Sequence, residues 1–175
     1  MTTSRTPELW KLPAAAMQAS LAEMAPDGVR GCEGVALWLG RRSGATAEIT
    51  HVVALRGPGI LKLPDHLSIS PELLNEVTDV AIELDCYIVG QIHSHPDAWV
   101  DLSIPDQRYG IRTEGYLSVV APFFAQRPDT TLADCGVHLF DGGHWRRLDP
   151  SELARRVGLG DGPVPVIAVG EVADE

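Results

Sequence analysis

The chain has 175 residues, 45% hydrophobic and 22% charged, the proportions of a soluble domain with one sizeable core. Its net charge of −10, from 24 acidic and 14 basic residues, repels phosphate backbones, so no nucleic acid is expected and a partner with a basic face fits better. No apolar run approaches the roughly 20 residues of a membrane span, and no secretory leader pattern opens the sequence, so no membrane is expected and the expected compartment is the cytoplasm.

Residues 1–12 read as a loose N-terminal lead-in, 13–170 as a single domain without internal repeats, and 171–175 as a frayed acidic tail. From Pro13 to about Ala25, Ala14, Met17, Leu21 and Met24 recur at helical spacing; Pro13 suits a first turn, and Pro26-Asp27-Gly28 is expected to stop the helix. Glu33–Arg41 and Ala47–Arg56 read as strands joined by a hairpin turn. Residues 57–69, rich in Gly and Pro, read as a surface loop. Ser70-Pro71 opens a helix to about Asp85 whose inner side carries Leu73, Leu74, Val77, Val80, Ala81 and Leu84. The apolar run Tyr87–His93 suits a buried central strand.

A loop at 96–102 precedes a short helix near 104–113 and the strand Tyr116–Ala121. Residues 122–134 read as a second loop. Gly136–Phe140 and His144–Leu148 flank Asp141-Gly142-Gly143, a strong hairpin signal. A helix from about Ser151 to Val157 follows, and Pro163–Val169 reads as an edge strand or a loose segment. The mixture predicts an α/β or α+β fold, a sheet with helices packed on it. Cys32, Cys86 and Cys135 are far apart, odd in number and without a CxxC, which argues against a disulfide framework and against a thiolate zinc knuckle.

The chemistry concentrates in Ile92-His93-Ser94-His95-Pro96 and the later Asp106. On a strand, side chains two apart share a face, which sets the two imidazole-bearing positions about 7 Å apart and lets both rings reach one ion. Pro96 ends the ladder, and the ten intervening residues allow a carboxylate to fold back. Two histidines and one carboxylate make a catalytic zinc set, because the fourth tetrahedral position stays open to water. Ser103-Ile104-Pro105-Asp106 also reads as a helix cap, with Ser103 at the N-cap, and a cap that fixes Asp106 on a first turn is compatible with ligation. Glu33 taken alone reads as a solvated carboxylate at a strand end.

Together these residues resemble the JAMM, or MPN-plus, metalloproteases: an upstream Glu, a His-x-His-Pro, and a Ser-x-x-Asp whose Asp follows the second His by eleven positions. Here the elements are Glu33, His93-Ser94-His95-Pro96 and Ser103-Ile104-Pro105-Asp106. Glu33–Gly40 resembles the family's glutamate-led strand, and the likeness of element order spans roughly residues 13–150. The resemblance implies an MPN/JAB-like curved mixed sheet with a cytidine-deaminase-like layout. It implies one catalytic Zn²⁺ held by His93, His95 and Asp106, with Glu33 as general base and Ser103 as oxyanion donor. The implied substrate is a ubiquitin-like protein modifier or its conjugates, cut after the modifier's C-terminus, as in the bacterial JAB-domain proteases of conjugation systems that include antiphage defence.

Two alternatives are a peptidase that processes a ubiquitin-fold sulfur-carrier protein and a non-catalytic MPN-type scaffold; intact ligands argue against the latter. A zinc deaminase would need H-x-E and P-C-x-x-C, and neither occurs. Trp99 is expected either to line a groove or to pack down, Ser94 to pack on the face opposite the ligands, and His51, His66, His138 and His144 to have no catalytic role. No sequence feature specifies oligomeric state.

Overall fold

The computed structural model describes residues 6–171; the first five residues of the lead-in and 172–175 of the acidic tail lie outside the described residues. The fold is mixed α+β: a curled mixed sheet flanked by helices. In chain order the strands are β1 (Leu9–Pro13), β2 (Val35–Ser43), β3 (Thr46–Leu55), β4 (Ile60–Lys62), β5 (Leu67–Ile69), β6 (Tyr87–Ser94), β7 (Leu117–Ala121), β8 (Gly136–Asp141), β9 (His144–Arg147), β10 (Val157–Gly160) and β11 (Val166–Val169). The α-helices are α1 (Ala14–Val29), α2 (Pro71–Glu83), α3 (Ile104–Tyr109) and α4 (Pro150–Arg156). No helix among the described residues is long and apolar enough to cross a membrane.

The main sheet runs β10-β1-β3-β2-β6-β7-β8-β9, with β11 also on β3; β4 and β5 form a small separate hairpin. At its centre β2 and β6 are antiparallel while β6 and β7 are parallel. Alternation along β2 separates two cores. Ala36 and Trp38 face α1, whose Met17, Leu21 and Met24 cover them. Val35, Leu37 and Leu39 face α2, meeting Leu73, Val77 and Ala81. The indole N–H of Trp38 donates to Ser20 Oγ at 2.9 Å, so a fully buried ring has its polar group satisfied. A bulge opposite Trp38 and Leu39 leaves Val89 without a partner on β2 and resets the alternation of β6, so that Ile92 joins the α1-side core. The turn of the β8–β9 hairpin is Gly142-Gly143, both at positive φ as a two-residue turn of the primed kind requires.

Several expectations are corrected. The lead-in contains a strand: β1 lies between β3 and β10, with Trp10 and Leu12 fully buried. Pro13 is the N-cap of α1 and stands before its first turn. Pro26 does not stop that helix, which runs on to Val29. A proline inside a helix costs about 3 kcal/mol, and tertiary contacts of the last turn offset this. Asp27, buried, pairs with Lys62 of β4 at 2.7 Å and with Arg30, and Gln126 donates to the carbonyl of Ala25 at 2.8 Å. The 57–69 loop contains β4 and β5, and the 122–134 loop contains two short 3₁₀ turns, Phe123–Ala125 and Leu132–Asp134. The short helix ends at Tyr109, and β10, outside every expected element, closes the far edge of the sheet.

Because Leu12 is fully buried on β1, Leu12→Ala is expected to lower unfolding free energy by about 2–5 kcal/mol in a urea titration. A loss below about 1 kcal/mol would mean that the strand contributes little to the core.

Candidate metal centre

The candidate centre forms at the ends of the central strands. His93 pairs with Val35 of β2 on one side and Val120 of β7 on the other. Beyond the end of β6, the amide of His95 still donates to the carbonyl of Ala121 at 2.9 Å. The two rings therefore emerge side by side, as strand alternation requires. His93 Nε2 and His95 Nε2 are 3.3 Å apart, and Asp106 Oδ2 lies 3.4 Å from the first and 3.3 Å from the second. A tetrahedral ion with bonds of 2.0–2.1 Å sets its donor atoms about 3.3 Å apart. The triangle of donors thus has the dimensions of three corners of such a site, and the three residues could hold a metal ion.

Asp106 is placed by a capping box. Ser103 N–H donates to Asp106 Oδ2 at 2.8 Å, while Asp106 N–H donates to Ser103 Oγ at 3.1 Å. The cap also aims the candidate donor: the oxygen fixed by Ser103 is the one that faces both imidazoles. The Ser103 hydroxyl accepts in this bond and keeps its proton for a further acceptor. His95 is oriented from behind, with Nδ1 3.0 Å from the carbonyl of Trp99. A carbonyl can only accept, so Nδ1 carries a proton there, and a neutral ring would then present the lone pair of Nε2 to an ion in place of its hydrogen bond to Asp106. The Trp99 ring also stacks on His95, centroids 5.2 Å apart and planes 13° apart, and leaves half its surface exposed.

Glu33 precedes β2 and is 5% exposed, not the solvated strand-end carboxylate it resembles in isolation. Its Oε1 lies 4.0 Å from His95 Nε2, and its amide donates to the carbonyl of Leu63 beyond β4 at 2.9 Å. Ser94 contributes more than packing. Its Oγ accepts from Gly34 N–H at 2.9 Å and its own N–H donates to the Gly34 carbonyl at 3.0 Å. On the other side Gly34 lets α1 pack closely, since a Cβ there would meet Met24 at 2.8 Å. Neither contact is visible in a sequence, because both join segments about 60 residues apart.

The second loop has a role that its composition hides. Phe123, Phe124 and Ala125 all have φ near +55°. Left-handed backbone costs about 1–2 kcal/mol per non-glycine residue. The turn aims Phe123 N–H at the Asp97 carbonyl (3.0 Å) and Phe124 N–H at the His95 carbonyl (2.7 Å), so strained backbone secures the start of the loop after β6. On the far side, Asp101 pairs with Arg147 at 2.6 Å and lies 3.7 Å from the buried His138. His66 stands apart from the triangle but lines a groove of about 480 Å³ beside Asp106, together with Leu67, Ile69, Gln91 and Tyr109.

Electrostatics divides the two carboxylates. Burial pushes the Glu33 carboxyl up to about 7; His95 opposes the rise, while Asp106 and Asp65 add to it. Burial also acts to raise Asp106, but hydrogen bonds from His93 and His95 outweigh it and hold this carboxyl well below the usual range. His95 is lowered by burial and raised by Asp106, the Trp99 carbonyl and Glu33, with a net rise. One acid is therefore fixed as an anion, and the other exchanges its proton near neutrality.

No family model matches the sequence, and no curated protein matches it. Among solved structures, the solution structure of protein DSY2949 from Desulfitobacterium hafniense is similar, with a TM-score of 0.65 at 19% identity over 89% of this chain and 95% of that one. At that identity the likeness is one of fold.

A carboxyl whose folded pKa exceeds its unfolded value stabilises the fold fully below the unfolded pKa, and that contribution is lost as pH rises through the folded one. For Glu33 the window runs from 4.5 to about 7. In the presence of chelator, Glu33→Gln is expected to match wild type at pH 4 and to exceed it at pH 8 by up to about 3 kcal/mol in urea unfolding. Equal stability at both pH values would show that the carboxylate pays no desolvation cost.

Proposed function

We propose that this chain is a zinc-dependent peptidase of the JAMM (MPN-plus) type, with the MPN/JAB-like layout, that hydrolyses the amide bond after the C-terminus of a ubiquitin-like protein modifier. The observation that carries the reading is the pairing of a three-donor triangle, His93, His95 and Asp106, with a buried carboxyl poised near neutrality 4.0 Å from one donor. Two imidazoles and one carboxylate suit zinc and leave a coordination position for water. When bound, the ion supplies Lewis acidity and a water of lowered pKa.

The chain's own groups supply the remaining chemistry. Glu33 takes the proton of the attacking water and returns it to the leaving amine, a task matched to an acid that exchanges near pH 7. The Ser103 hydroxyl donates its unused hydrogen to the developing oxyanion. Asp106, held as an anion, offers the centre a charged oxygen beside the two imidazoles. The carbonyl of Trp99 holds His95 in the tautomer that can ligate.

The surroundings suit a polypeptide more than a small metabolite. The groove beside Asp106 runs along β5 and shares Leu74 and Ile111 with a second groove of about 630 Å³, which reaches Ile82 and Tyr87. Among the described residues β5 pairs only with β4, which leaves its other edge to take an extended tail as an added strand. The buried, unpaired thiols of Cys86 and Cys135 fit a reducing cytoplasm.

The test begins with metal analysis: about one zinc per purified chain is expected, lost in His95→Ala and Asp106→Ala and kept in Glu33→Gln. Glu33→Gln, tagged and produced in the native host, is then expected to retain a modifier joined to its target. Wild type should release the conjugate 10²–10⁴-fold faster than the variant. A chain that takes up no zinc, or a Glu33→Gln variant that cleaves as fast as wild type, would overturn the proposal.

A further inference from the structure

The two histidines differ in what stands behind them. The carbonyl behind His95 can only accept, so its tautomer is settled. Behind His93 stands a side chain that can do either. Gln91, two residues earlier on β6 and on the same face, brings its amide Nε2 3.5 Å from His93 Nδ1, while its Oε1 accepts from Tyr116. The other end of that amide lies 3.1 Å from the hydroxyl of Tyr116, which immediately precedes β7. Tyr116 is 1% exposed, and its ring meets Trp145 of β9 edge-on at 6.4 Å, so the hydroxyl is a fixed point. The result is a row of three side chains, Tyr116, Gln91 and His93, that ends at the donor triangle.

Their chemistry restricts the row. For His93 Nε2 to give its lone pair to a metal, the ring must be neutral with its proton on Nδ1. The group behind Nδ1 must then accept. The nitrogen of the Gln91 amide only donates; facing Nδ1 it would put the ring proton on Nε2, where it blocks ligation. A half-turn of the amide exchanges nitrogen and oxygen at nearly the same positions. Oε1 then accepts from His93 Nδ1–H, and Nε2 donates to the Tyr116 oxygen. A phenolic hydroxyl can donate or accept, so Tyr116 serves both orientations.

We infer that Gln91, braced by Tyr116, is a positioning residue for the metal: with its amide oxygen turned toward Nδ1, it holds His93 in the ligating tautomer. The inference rests on the metal reading above and concerns neither substrate nor reaction. It also separates the roles of the two rings. His95 is committed to ligation by backbone, whereas His93 is committed by a side chain that substitution can reach.

The test is zinc affinity, measured on the full chain by competition with a chromophoric chelator. Gln91→Met keeps the length of the side chain and removes its acceptor; it is expected to weaken zinc binding about 10–100-fold, the usual effect of losing the partner behind a ligating histidine. Gln91→Glu offers a carboxylate that accepts from Nδ1–H and from the Tyr116 hydroxyl alike, and is expected to bind zinc at least as tightly as wild type. Melting of the chelator-treated proteins checks that each remains folded. Unchanged affinity in Gln91→Met overturns the inference. So does a Gln91→Glu variant weaker than wild type, which would assign Gln91 a packing role and decides the matter even if Gln91→Met does not fold. A wild-type chain without zinc affinity overturns this inference and the metal reading together, whereas zinc-binding wild type with an unaffected Gln91→Met overturns this one alone.

Discussion

Gly34 and Ser94 exchange two hydrogen bonds, one through backbone at 3.0 Å and one through the serine hydroxyl at 2.9 Å. Each partner sits next to a residue of the centre, Gly34 beside Glu33 and Ser94 between His93 and His95. The exchange therefore sets the spacing between the acid and the imidazoles, and it does so in a buried place where an unmade hydrogen bond is expensive. The rest of the architecture supports that junction. Met24 of α1 presses on Gly34 from one side, β7 pairs with the backbone of His93 and His95 on the other, and the β4–β5 hairpin holds the amide of Glu33 through Leu63.

The same junction carries an electrostatic load. Glu33, His93, His95 and Asp106 are packed where few charges can be solvated, and burial acts on Glu33, His95 and Asp106 before any partner does. Such crowding opposes folding, and proteins keep it where a site must be pre-organised. The backbone shows a similar investment. Three left-handed residues in succession, two of them phenylalanine, are retained at the turn whose amides grip the carbonyls of His95 and Asp97. Strain and buried charge meet at one end of the sheet, while its remaining strands follow ordinary alternation.

Much of this was legible in the sequence, for reasons that differ by element. The central strands, α2 and the β8–β9 hairpin announce themselves through periodicity and turn chemistry, and the triad through the two-residue spacing of His93 and His95 with a capping Asp106. What escaped depends on distant partners. β1 has only Trp10 and Leu12 to mark its buried face, and its neighbour β10 is the glycine-rich Val157–Gly160. Pro26 has the local signature of a stop, and only Lys62, Arg30 and Gln126 explain why the helix continues. The role of Gln91 depends on a tyrosine 25 residues later, and no spacing rule links an amide to the ring behind which it stands.

The two ends of the described chain share a task with consequences for how the protein is made. Leu9–Lys11 cover one half of the outer edge of β3 and Val166–Val169 cover the other, while Val157–Gly160 seal β1 in turn. Pairings between residues about 150 positions apart are slow to find, because loop closure must precede the reward. During synthesis the chain emerges at about 5–20 residues per second. The segment with both histidines and Asp106 is therefore outside the ribosome, with β2 and β3 already available, several seconds before the last strand can close the sheet. In that interval the half of the β3 edge at Val52–Leu55 is a bare row of amides and carbonyls, open to neighbouring nascent chains. The protein completes its chemistry-bearing end first and its protective edge last.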